Sequence, residues 1–145
     1  MRQPWRARQS GQSVVETALM FPWLVFLFIG ALDTGFYMYA SIAVQSAARI
    51  AVLYTSSSST TAANSGGACS LVLKELSAMP NIGSSVTSCG ALPLIVTATG
   101  PSTDQFGNTY STVSVEYKTL TLMPIPGILA SNFTLTRVVQ MQIRS

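Results

Sequence analysis

From Thr17 to Leu32 the chain runs through sixteen residues without a formal charge, and almost all are apolar. Extended back to Ser13, the stretch is about the twenty residues that carry a helix across a bilayer core at ~1.5 Å per residue. No other feature constrains the fold as strongly. A cleaved secretory signal would have an apolar region of about 7–15 residues followed by a small-residue cleavage site. Here the run passes into Asp33, Thr34, Gly35, Phe36, Tyr37 and Tyr39, and the helical pattern continues. That favours a retained membrane helix.

The flanks set its orientation. Arg2, Arg6 and Arg8 precede the run, and no basic residue follows it until Arg49. The positive-inside rule then leaves the N-terminus in the cytoplasm and sends the bulk of the chain outside. Phe36, Tyr37 and Tyr39 serve either as an aromatic anchor at the outer interface or as ordinary helix packing.

Composition agrees with a membrane setting. Only 9% of residues are charged and 48% are hydrophobic, whereas soluble domains average about 25% charged. The net charge of +3 comes from the three leading arginines, because the other basic and acidic residues cancel. A nucleic-acid binder would instead carry a basic face on its folded part. Histidine is absent, which removes Ser-His-Asp, Cys-His and His-metal chemistry. Asp33, Glu75, Asp104 and Glu116 show no spacing that suggests a catalytic site. No catalytic residue, metal or cofactor is expected.

Helical periodicity outlasts the apolar run. Phe36, Ala40, Ala43, Val44, Ala47, Ile50, Ala51 and Tyr54 recur at spacings of three and four, with Ser41, Gln45 and Arg49 on another face. One helix over residues 12–54 is expected, its first part in the bilayer and its second part projecting outward. Pro22 lies inside it and deprives the Ala18 carbonyl of its helical donor, so a kink is expected there.

Glu16 has two readings. It is a helix-start acid favoured by the macrodipole and kept wet at the membrane edge, or it has a partner. The sequence around it, "SG/QSVVE", behind a basic leader and before an apolar helix, resembles the processing site of type IV pilins and pseudopilins. The resemblance implies cleavage by a prepilin peptidase after Gly11, a new amino terminus at Gln12, and Glu16 as the acid at the fifth mature position, able to pair with a neighbour's terminal amine. The longer stretch from Gly11 to Tyr54 resembles the TadE-like family of tight-adherence pilus systems, through Glu16, Pro22, Asp33 with Gly35 and its aromatics, and "AAR" at Ala47–Arg49. Residues 113–143 also resemble the family's tail. For Asp33 the alternative is a membrane-edge acid with no specific partner.

Residues 55–66 read as a Ser/Thr-rich linker, and 67–145 as a small periplasmic or extracellular α+β domain. Within it, Gly67 to Met79 reads as a short helix closed by Pro80. "LPLIVTATG" and "YSTVSVEYKTLTLM" read as strands joined by a turn-rich connection over 100–109. "MPIPG" breaks the chain, and alternation from Phe133 onward marks a last strand. Arg137 falls on that strand's apolar face, where an edge position would suit it. The expected architecture is α+β, a long transmembrane helix leading to a short helix and a three-stranded antiparallel sheet. Cys69 and Cys89 lie in the compartment assigned as outside, so a disulfide is expected, stabilising by roughly 3 kcal/mol on the loop-entropy estimate. Asn132-Phe133-Thr134 matches a glycosylation sequon, which has meaning only in a eukaryotic secretory setting.

The resemblance implies a non-enzymatic pseudopilin, anchored in a bacterial inner membrane and contributing to assembly of an adhesion pilus. Its partners would be a prepilin peptidase, other pilins and the assembly platform, and membrane lipid, with no nucleic acid. The alternatives are a pseudopilin of a related secretion system, or a single-span membrane protein with a small outer binding domain.

Overall fold

The structure, a computed structural model, describes residues 9–83, 85–120 and 133–144, with side chains from residue 13 onward. The basic leader at Arg2, Arg6 and Arg8, the "MPIPG" break and Asn132 of the sequon lie outside the described residues. The chain divides into two compact units, Met1–Phe36 and Tyr37–Ser145.

Helix α1, Gln9–Thr55, is one uninterrupted helix that includes Pro22. At 47 residues it is about 70 Å long. In the first unit its side chains are largely bare. In the second unit it has a buried stripe of Ala40, Val44, Ala47, Ala48, Ala51 and Val52. Those spacings of three and four match the expected stripe at Ala40, Val44, Ala47 and Ala51, and Gln45 and Arg49 are exposed as expected. Alanines dominate this face.

The Ser/Thr-rich stretch after α1 is a compact series of turns. Ser57 Oγ lies 3.1 Å from Thr61 Oγ1, and Thr61 N donates to the Ser58 carbonyl at 3.2 Å. Ala62 is fully buried within it. Helix α2, Ser65–Glu75, is capped by Asn64, whose side chain accepts from Gly67 N at 2.9 Å. It buries Ala68 and Val72, and a 3-10 turn, Leu76–Ala78, buries Leu76 in the same row before Pro80.

The sheet has four antiparallel strands in the order β1-β2-β3-β4: β1 Gly90–Ala91, β2 Leu94–Thr103, β3 Thr109–Lys118 and β4 Thr134–Gln142. The expected three-stranded sheet is therefore corrected to four. The added strand is two residues long, too short to show any alternation in sequence. A second correction concerns β2, which continues through Gly100 and Pro101 to Thr103, with its register shifted between Thr99 and Ser102. Gly100 has φ +152°, and an added Cβ would lie 3.2 Å from the Ser111 Cα. Glycine thus lets the strand pass where a turn was expected, and the turn itself is confined to residues 104–108.

One sheet face is buried and the other half-open. Leu94 and Val96 of β2, Val113, Val115 and Tyr117 of β3, and Leu135 of β4 join the buried stripe of α1 and Val72 and Leu76 in a single core. Cys69 and Cys89 form a disulfide that ties α2 to the residue before β1. Ser111, buried in β3, has its Oγ 2.8 Å from Thr55 Oγ1 and 2.9 Å from the Ala62 carbonyl. This polar link holds the end of α1, the turn region and the central strand together.

Candidate functional site: the bare apolar part of helix α1

The side chains of Ser13–Met20 are all exposed, and the apolar ones stay so beyond them: Leu19 is 70% exposed, Trp23 66% and Leu27 64%. Large apolar side chains on every side of a helix have no place in water. From Ser13 onward the helix is long and apolar enough to cross a membrane, with a mean hydropathy of 2.0 in its most apolar window. Two of its threonine hydroxyls are satisfied inside the helix. Thr17 Oγ1 donates to the Ser13 carbonyl at 2.8 Å and Thr34 Oγ1 to the Gly30 carbonyl at 2.8 Å. Such local bonds suit a medium that offers no partners.

The sequence-selected residues follow this helix in order. Gly11 and Gln12 lie in its backbone two and three positions after Gln9, where the helix begins. Glu16 is exposed, and Asp33 is half-buried. The expectation that Glu16 occupies the first helical turn is corrected, because the first turn of α1 contains no acid. Helix formation reaches back past Gly11 to Gln9, so Glu16 sits about two turns in.

The remaining acids are dispersed, each in a local role. Glu75 Oε1 accepts from Ser46 Oγ at 3.1 Å. Asp104 Oδ1 accepts from the backbone N–H groups of Phe106 and Asn108, at 2.9 and 2.8 Å, and Oδ2 accepts from Asn108 Nδ2 at 3.1 Å. The Asn108 side chain, then its backbone N–H, holds the Asp104 carboxyl below the usual range. This knot presents Phe106, 88% exposed, at the hairpin tip. Glu116 pairs across strands with Thr136. No group of potential metal ligands forms among the described residues.

Two arrangements escaped the sequence. Tyr117 is buried and donates to Asn81 Oδ1, while Asn81 Nδ2 donates to the Lys118 carbonyl at 2.6 Å. Arg137, half-buried on edge strand β4, shares a groove with Arg49. The first joins residues far apart in sequence and left no local signal. For the second the position of Arg137 on an apolar strand face was the available clue.

No curated protein and no solved structure matches the chain. A family model described as TadE-like protein matches residues 11–53. That match begins at the glycine of the expected cleavage site and runs through the bare part of α1 into its buried stripe, so the N-terminal segment of this chain, residues 11–53, is TadE-like.

Proposed function

We propose that this protein is a membrane-anchored pseudopilin that takes part in assembling a tight-adherence pilus. The observation that carries the reading is the TadE-like segment itself: a helix with large apolar side chains exposed through its first part and built into a folded domain through its second. The bare part anchors the protein in the inner membrane, with the domain on the outer side. A prepilin peptidase removes the leader after Gly11. Gln12 then carries the new terminal amine, and Glu16 pairs with the amine of a neighbouring subunit. Two opposite charges, each costly in lipid, lower that cost by meeting there. The protein works as a structural subunit and performs no catalysis.

Processing is the first test. Intact mass of protein from membranes should correspond to a chain starting at Gln12. Gly11→Val, whose branched Cβ obstructs the peptidase, should accumulate the uncut form. The same N-terminus in wild type and variant would overturn the processing step.

A further inference from the structure

On the second unit an open groove of about 370 Å³ is lined by Ser41, Ile42, Gln45, Ser46 and Arg49 of α1 and by Arg137 of edge strand β4. Two features need explanation. Arg137 Nε is buried and has no hydrogen-bond partner among the described residues. Orphaned buried donors of this kind are uncommon and costly. In addition, the groove brings two guanidinium groups together without an acid paired to either among the described residues, although all five acidic residues of the chain are described.

An acid stands at the rim. Glu75 Oε1 is engaged by Ser46, which lines the groove, and Glu75 is exposed on α2. The patch thus carries both signs side by side: Arg49 and Arg137 in the groove, and Glu75 on its edge. Ile42, which also lines the groove, is 71% exposed. A surface that carries both signs beside an exposed apolar residue can be complementary to itself under a two-fold rotation, which is the requirement for an isologous contact.

We propose that this groove is where a second copy of the chain docks. In the pair, Glu75 of each protomer meets Arg137 and Arg49 of the other, and the two Ile42 side chains lie near the two-fold axis. Guanidinium–carboxylate pairing is the strong, geometrically selective kind, and the fold has already stripped water from one nitrogen of Arg137. The contact does not depend on processing after Gly11, so the two ideas fail separately.

The test is Ile42→Cys in the full-length protein in membranes. Cys69 and Cys89 are paired, so the new thiol is the sole reactive one. Mild oxidation should give a band of twice the monomer mass on non-reducing gels. Glu75→Arg, on an exposed helical residue, should lower that yield by about tenfold or more, because like charges then face each other. Arg137→Glu should do the same, and the double variant Glu75→Arg with Arg137→Glu should restore the dimer. Oxidised native cysteines and normal abundance verify folding in each variant. Absence of the dimer band, a yield unaffected by Glu75→Arg, or capture of a different protein by the new thiol would overturn the proposal.

Discussion

Two glycines at the start of α2 show how one methyl group separates neighbouring positions. A Cβ on Gly67 would fall 2.5 Å from the Tyr54 ring, while one on Gly66 would meet only Asn64 Oδ1, at 3.6 Å. Alanine gains up to about 1 kcal/mol of helix propensity at either site. At Gly67 overpacking costs about 1–3 kcal/mol and displaces the Tyr54 hydroxyl that accepts from Asn64 Nδ2. Denaturant unfolding in detergent should therefore show Gly66→Ala neutral or slightly stabilising and Gly67→Ala a net loss of about 1 kcal/mol. Tyr117 supplies a pH dependence. Burial raises its pKa above 10.0, and the hydrogen bond to Asn81 offsets this only in part. The unfolded chain loses the phenolic proton first, so the Tyr117 contribution is complete below about pH 10 and declines as pH rises through the higher folded value. Tyr117→Phe should cost about 1 kcal/mol at pH 7, from the lost hydrogen bond. The gap to wild type should narrow above pH 10. A gap that widens there would contradict the sign of the shift.

At the scale of the element, α1 carries two sets of instructions in one helix. Its first part is apolar on every side, and its second part keeps a single stripe of mostly small residues for the core. Glu16 belongs to the first part, four residues after the proposed new terminus at Gln12. As a merely solvated acid it could contribute at most the dipole effect of about 0.3–1 kcal/mol. Paired with a neighbour's amine in lipid, its loss leaves a buried charge alone and costs on the order of 3–5 kcal/mol. Glu16→Gln should therefore insert normally, be cut after Gly11 and reach wild-type abundance, yet fail to support piliation. Normal piliation by the cut, abundant variant would leave Glu16 without a pairing role.

For the whole molecule, the division at Phe36 and Tyr37 has a direct consequence. The second unit holds the core, the sheet and the disulfide. A fragment beginning at Tyr37, exported to an oxidising compartment, should fold, form the Cys69–Cys89 bridge and appear in the soluble fraction. The full chain should stay in the membrane pellet through alkaline carbonate extraction. Release of the full chain by carbonate would remove the anchor from the functional reading.

What the sequence determined by itself is what short-range periodicity can encode. The apolar run, the stripe at spacings of three and four, the strand patterns of β3 and β4 and the breaking proline after α2 each act within a few positions of the chain. Each was therefore legible, as was the odd placement of Arg137. The tertiary structure decided the rest: a fourth strand of two residues that exists only because β2 lies beside it, the passage of β2 through Gly100, and a Ser/Thr-rich stretch organised by turns and by the burial of Ala62 against the sheet. It also decided that Asn81 meets Tyr117 and that Arg49 and Arg137 line one groove. Those contacts join residues many positions apart, and their energy comes from desolvation and hydrogen bonding across the assembled core, which no local pattern of residues records.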